Sequence, residues 1–598
     1  MYTFVNVMTG AKTTALALGL ALPFLTMACS HGQRPRTAAA GQGAANQPAT
    51  MVPGPVTVQA AVAHDTSAPL AQLIAQAPPP LSRQAMQARR AKYIAMFRAR
   101  YAAKHHGKMP HWPPPPPPHA IPPPVTGEAA AIEQTRPGPR PAARLVADFT
   151  GLGFGFRGPR GTGYFHNPSD NSLAVGPRDI IQTVNSELAI FNTRGKVLYG
   201  PVPTKTLFSG FPGPCGVTDF GDVVVRYDQL ADRWVFVLPI FRKIKPPTPA
   251  PYGMCFAVSA TSNPLGRYYR YQFPRALFPD YPRLGVWPNG YYLGTSSGDH
   301  VIQKHACVVD RAAMLRGAPA SQQCSIINGS NFLNPADIEG YQTPPAGEPE
   351  LFLAAGGTQL KKDFHGHTVH YYRFHANWNN PARSRVTGPF KVAVAPYHYL
   401  CNGQLTSCVP QPGVKTRLDA QGDKLMQPVV YRRFGKRQVV LAVQSVNTAG
   451  GGGGVRWYEF QLQRPGRLRL LQQSTYAPDG GFRWMGSIGM DRKGDIALGY
   501  SFGGAKHFAG QRITAQLAGS PKDEMTLKGT ILARGQAAQT NTLRWEDYTT
   551  MDVAPNGCTF WYVGDYLRAH AKNYSTRIGA IQLPGCRPRR GRMMAAGK

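Results

Sequence analysis

One pattern is written seven times between residues 170 and 566: an apolar strand, a tight turn built on Pro, Gly or Asp, and a second apolar strand. The clearest copies are 170–185 (DNSLAVGPRDIIQTVN), 222–237 (DVVVRYDQLADRWVFV), 280–295 (DYPRLGVWPNGYYLGT) and 547–562 (DYTTMDVAPNGCTFWY). Each opens on an Asp. Two others, 428–444 (PVVYRRFGKRQVVLAVQ) and 485–500 (MGSIGMDRKGDIALGY), lack it. A degraded seventh starts at Asp337 and resumes at Glu350 (ELFLAAGG). A hairpin repeated at this spacing constrains the fold strongly, because a hairpin cannot bury its apolar face alone and must stack on its neighbours.

The starts step by 52, 58, 57, 91, 57 and 62 residues. A four-stranded propeller blade takes about 40–50 residues, so the copies are blade-sized with generous loops. The 91-residue step holds an extra excursion around Cys401 and Cys408. Gly176-Pro177, Pro288-Asn289-Gly290, Arg492-Lys493-Gly494 and Pro555-Asn556-Gly557 are expected to supply the backbone angles that hairpins need. The flanking strands are rich in Val, Ile, Tyr, Phe and Trp, which suit a pleated, half-buried surface. The expected fold is all-β, a seven-bladed β-propeller over 145–586, rather than a sandwich or two tandem β-domains.

The chain ahead of the repeat reads as address and spacer. Lys12 precedes an apolar run over 14–27, too short to span a bilayer and fit for a signal peptide over 1–28. It ends at Cys29, preceded by Ala28 as in a bacterial lipobox, although Thr26 and Met27 depart from that pattern. Cys29 is therefore the expected lipidation site, with cleavage near Ala28 and release as the alternative. Ser30 in place of Asp points to the outer membrane. Residues 29–144 are Ala-, Pro- and Gln-rich and are expected to form a disordered tether. Within it, 81–101 has the composition of a basic helix. Residues 587–598 form a basic tail. Setting Cys29 aside leaves eight cysteines, in near pairs: Cys215 and Cys255, Cys307 and Cys324, Cys401 and Cys408, Cys558 and Cys586. An exported chain favours disulfides. Eight cysteines allow 105 connectivities, so the pairing stays open.

The chain carries 66 Lys and Arg against 31 Asp and Glu, a net charge of +35. Only 13 basic and 3 acidic residues fall in 30–144, so most of the excess lies on the repeats. Such charge attracts polyanions; adaptation to an acidic milieu explains it equally. No sequence-specific nucleic-acid module is present. Hydrolase, zincin and EF-hand motifs are absent, as is C-x-x-C, so no metal site is expected from motifs. The position that repeats is acidic. Asp170, Asp222, Asp280, Asp337 and Asp547 open five copies, and Glu546 and Glu339 sit beside two of them. If inner strands line a channel, these residues ring one mouth. Such a ring suits Ca²⁺, or paired carboxylates for glycan hydrolysis or elimination. Asx hydrogen bonding at each opening turn is the structural alternative, and repetition favours it.

LAVGPRDIIQTVN at 173–185, YDQLADRW at 227–234, DYPRLGVWP at 280–288, RWEDY at 544–548 and CTFWY at 558–562 carry a resemblance. Together they are similar to a largely uncharacterised family of secreted bacterial proteins, over about 147–586. The chain departs from that family's D-T-N-G-A-V-G-P with SDNSLAVGP at 169–177, and from its W-G-D-Y with Trp545, Glu546, Asp547 and Tyr548. The resemblance implies a propeller-like fold and export, and no catalytic residue. The expected function is a surface-tethered binding module for an anionic glycan, another polyanion or an envelope protein. It is expected to meet the membrane only through a lipid anchor, and the absence of a catalytic motif ranks binding ahead of catalysis. A secreted glycan hydrolase or lyase working at the channel mouth is the alternative, and an envelope assembly scaffold the second.

Overall fold

The structure is a computed structural model. It describes residues 51–76, 88, 95 and 124–588, apart from 164–165, 218, 220, 242–243, 245–249, 297–302, 358–364, 404–405 and 465. Antiparallel strands account for most of it. The strands that open the copies touch in chain order: Ser172–Val175, Val224–Asp228, Asp280–Trp287, Asn334–Ile338, Val429–Phe434, Phe482–Met490 and Thr550–Val553. The last of these touches the first, so they close a ring. Each leads outward through an antiparallel meander, which is the propeller arrangement. The final sheet joins both ends of this region: Leu145–Gly153 pairs antiparallel with Ser575–Gln582.

Neighbouring sheets pack face to face. Val224, Val235, Val237 and Phe256 meet Leu284, Leu293 and Cys307 in one interface. Leu173 and Val175 meet Trp561, Val563 and Ile578 in another, where the ring closes. Alternation along each strand sends successive side chains to opposite faces, so both faces bury apolar residues. The turn glycines divide into two kinds. Gly494 and Gly557 adopt φ of 91° and 75°, which turn geometry demands. Gly176 and Gly290 lack left-handed angles and serve close packing. A Cβ on Gly290 would lie 2.1 Å from Val308 Cγ2, and one on Gly176 2.7 Å from the Trp234 ring. Gly290→Ala is therefore expected to destabilise by about 1–3 kcal/mol through overpacking, read as a lowered midpoint in chemical denaturation.

The expectation of seven separate blades is corrected. Four sheets of four or five strands stand apart, while the copies starting at 337, 428 and 485 lie in one continuous 13-stranded sheet. Parallel ladders make the join: Ala336, Asp337 and Ile338 pair with Val429, Val430 and Tyr431, and Gly453 pairs with Phe482.

The expected tether over 29–144 is also corrected where the structure describes it. Thr57–Ala60 adds a fifth strand beside Ser321–Asn328, and Ala63–Thr66 another beside Tyr268–Arg275. Asp65 and Arg270 pair at 2.6 Å across the second of these joints. Helix Leu70–Gln76 buries Leu70, Leu73 and Ile74 against Leu207 and Phe208. Further on, Glu133–Gln134 pairs parallel with Arg467–Tyr476. The segment folds because exposed sheet edges offer it unpaired N–H and C=O groups and apolar seats. The signal peptide, Cys29, all but Ala88 and Ala95 of the basic helix, and 589–598 lie outside the described residues.

The eight cysteines pair sequentially, Cys215–Cys255, Cys307–Cys324, Cys401–Cys408 and Cys558–Cys586. The last ties the final sheet to the end of the chain. No described helix is long and apolar enough to cross a membrane.

Candidate functional site at the channel mouth

The opening strands bring some of the repeated acids together and separate others. Asp170, Asp222 and Asp547 occupy the same position, each in the left-handed region with φ of 50°, 51° and 63°. Asp tolerates that region better than most residues, so the repeat conserves a backbone angle as well as a charge. Tyr281 (φ 54°) and Met485 (φ 50°) fill the same position in their copies. Asp280 thus lies one residue early. It is half-buried, and its charge acts on Lys304.

Two expected members of the ring lie elsewhere. Asp337 accepts from the Val286 amide at 2.9 Å, near the far end of the Asp280–Trp287 strand, and pairs with Arg226 at 3.0 Å. The equivalent start of its copy is nearer Asn331 and Phe332, where no acid stands. Glu546 turns away from the mouth. Its carboxylate accepts from Ser501 at 3.1 Å, Gln511 at 2.8 Å and the Asp565 amide at 2.6 Å. Burial and the neighbouring Asp565 charge hold it well above the usual carboxylate range. Glu339, too, is committed elsewhere, accepting from the Met490 amide at 2.9 Å.

The three acids that do meet are buried and linked. The Asp222 amide donates to Asp170 Oδ2 at 3.2 Å, and the Tyr548 hydroxyl to Asp222 Oδ2 at 3.0 Å. Asp547 accepts from Gln421 Nε2 at 2.8 Å and from Arg544. Asp170 Oδ1 has no hydrogen-bond partner among the described residues. Burial raises Asp170 well above its ordinary value, with Asp222 and Asp547 adding repulsion. Asp222 is pushed up to about 6 by burial and the Asp547 charge. Among the described residues, no three ring acids bring ligand oxygens within 4.8 Å of one another. The one group at that distance, Asp491 with Cys558 and Cys586, spends both sulfurs in a disulfide.

The excursion after Asp337 supplies a cover. Gln421 (φ 48°) bonds both Asp419 and Asp547, and Lys424 pairs with Asp423 at 2.8 Å. The Lys424 ammonium lies 4.7 Å from the Tyr281 ring and 4.5 Å from the Phe332 ring. Burial and the Asp547 charge push Asp419 up to about 7. The Arg283 guanidinium stacks 3.7 Å from the Tyr281 ring centre and 5.1 Å from that of Tyr548. None of these cations stands at the repeated acidic position; Arg283 is the one cation in the run DYPRLGVW.

Two surface clefts lie away from the mouth, of about 470 Å³ beside Glu133 and Asp523, and about 490 Å³ between Trp287 and Pro344–Pro349.

No family model matches the chain, and no curated protein does. Solved structures are similar at low identity. A protein of unknown function from Dyadobacter fermentans is 9% identical, with a TM-score of 0.31 over 74% of this chain and 100% of that one. A polysaccharide lyase, an ulvan lyase of family PL25, is 10% identical, with a TM-score of 0.30 over 72% and 94%. A GH43 β-1,3-galactosidase is 10% identical, with a TM-score of 0.26 over 55% and 97%. No residue role is transferred from them.

Proposed function

We propose that this chain is an exported propeller that binds a glycan at the mouth formed by Asp170, Asp222 and Asp547. The supporting observation is the trio itself: three buried carboxyls at one turn position, one with an oxygen that no donor among the described residues satisfies. Buried acceptors without donors are costly, and sugar hydroxyls are the donors that match them. Tyr281 and Tyr548, 4.6 Å apart between ring centres, offer apolar faces beside them. Four disulfides suit an oxidising compartment. Export through the 1–28 signal and anchoring at Cys29, with the propeller held at a bacterial surface, complete the proposal. A scaffold role has less support, because large exposed apolar residues such as Val52, Phe154, Val217 and Tyr341 are scattered singly.

A second reading, glycan hydrolysis or elimination, draws on two linked carboxyls, Asp222 pushed up to about 6 by burial and the Asp547 charge, and Asp170 raised by burial and its acidic neighbours. Paired carboxyls raised in this way are the groups that acid–base chemistry uses. The test is a glycan array probed with the full exported chain and with Asp170→Asn combined with Asp222→Asn, at two salt concentrations. At least tenfold weaker binding by the double variant, with the fold retained by circular dichroism, is expected. Retention that vanishes with salt in both proteins alike would mean charge alone and contradict the site. New reducing or unsaturated ends in the bound glycans would favour the enzymatic reading.

A further inference from the structure

Arg283 is 1% exposed, and its Nε, Nη1 and Nη2 all lack a hydrogen-bond partner among the described residues. A guanidinium carries five donors in a planar fork, and burying it without acceptors is costly. Every other cation near it is engaged. Arg544 is held by Asp547 and Lys424 by Asp423. Lys304, 3% exposed, lies 4.9 Å from the Phe332 ring and feels the charges of Asp423 and Asp280. Arg283 has only ring faces, those of Tyr281 and Tyr548. Stacking fixes the plane of the fork and leaves its edge donors unspent. Tyr281 also donates to the Asp547 carbonyl at 2.6 Å, and Tyr548 to Asp222. The rings that orient Arg283 are thus the ones bonded to the acidic trio.

We infer that Arg283 is the receptor for an anionic substituent, a carboxylate or sulfate, on the sugar bound at the mouth. This rests on the glycan reading above and names the class of ligand within it. The geometry fits a planar, two-oxygen acceptor, because Arg pairs carboxylate and sulfate oxygens two at a time. Lys304 and Lys424 are set around the Tyr281–Phe332 pair (ring centres 5.3 Å apart), but Lys424 is already paired with Asp423, so Arg283 is the group with donors to spare. The trio then serves the hydroxyls of the same residue, and Arg283 its acid group. A neutral sugar leaves the Arg283 donors unmet, so the site discriminates against it.

The test uses the full exported chain and four probes at constant ionic strength: glucuronate, inorganic sulfate, glucose and chloride. Calorimetry and the shift in melting temperature are read for wild type, Arg283→Met and Arg283→Lys. Glucuronate is expected to bind wild type at least tenfold more tightly than glucose. Arg283→Met is expected to lose that preference, and Arg283→Lys to keep part of it. Sulfate binding as well as glucuronate assigns the site to either acid; glucuronate alone assigns it to carboxylates. If Arg283→Met fails to fold, a glucuronate preference reduced but not abolished in Arg283→Lys carries the test. Equal affinity for glucuronate and glucose would overturn the Arg283 site and leave the glycan reading standing. No response to either sugar would overturn both. A preference for glucuronate undiminished in both variants would also overturn the assignment to Arg283.

Discussion

The melting temperature of this protein is expected to be highest near pH 4–5 and to fall as the pH rises to 8, by on the order of 10 °C. Most buried carboxyls in proteins are held down by partners and stabilise at neutral pH. Here burial dominates. Asp222 is raised to about 6, Asp419, Asp491 and Asp565 to about 7, and Glu339 to about 8, each mainly by loss of water. Asp170 and Glu546 are raised as well. A carboxyl with a raised folded pKa binds more protons folded than unfolded between about pH 4 and that pKa. Stability is then fully present below the unfolded value and lost as the pH climbs through the folded one. Two buried bases oppose this: burial lowers His305 to about 3 and His370 to about 4. They gain stability only up to about 6.5, and the carboxyls outnumber them. Lys304, lowered to about 7 by burial, returns some stability only above that pH. Differential scanning calorimetry across pH 4–8 checks the sign, and a flat or rising profile would refute it. A profile that falls with pH would fit adaptation to an acidic milieu, one of the two explanations its charge left open.

Removing the N-terminal region is expected to have the second large effect, in two steps. A chain starting at residue 145 keeps Leu145–Gly153 and the ring closure, but it strips the strands Thr57–Ala60 and Ala63–Thr66 from two sheets. It also uncovers the seats of Leu70, Leu73 and Ile74, each worth about 1.5–3 kcal/mol when fully buried. The expected product is folded, less stable by several degrees, and prone to self-associate through the bared edges of Tyr268–Arg275 and Ser321–Asn328. A chain starting at residue 157 also loses the closing strand. It is expected to be less stable still and more prone to self-associate, because the final sheet would end at Ser575–Gln582 with an open edge and Leu152 and Phe156 would leave the core beside it. Light scattering and calorimetry on the two truncations separate the steps. Equal stability of the full chain and the 145–598 chain would contradict the packing of residues 51–76.

The ring was legible because period-two apolar runs with turn residues between them recur at one spacing, and stacking is the only way to bury them. The cysteines stood out as near pairs in sequence, but 105 connectivities left the pairing open, and only the fold brings Cys215 of one copy to Cys255 of the next. The merging of three copies into one sheet was not legible, since parallel ladders between Ala336–Ile338 and Val429–Tyr431 leave no mark in either strand. The N-terminal strands were missed because TVQA and AHDT are four residues each, with mostly exposed or half-exposed side chains. Such segments become strands only when an edge is offered. The mouth was half legible. The Asp that opens each copy marked Asp170, Asp222 and Asp547, but the same rule applied to the degraded copy picked Asp337, which serves the other end of the strand. Arg283, Lys304, Gln421 and Lys424 come from different copies and the excursion, and only folding brings them together.

The most direct test of glycan recognition at this mouth is a crystal structure of the full chain with a bound uronic-acid oligosaccharide. The expected result is a sugar residue with hydroxyls on Asp170 and Asp222 and its carboxylate on Arg283. A sugar seated instead in the cleft between Trp287 and Pro344–Pro349, with the mouth unchanged, would contradict the account.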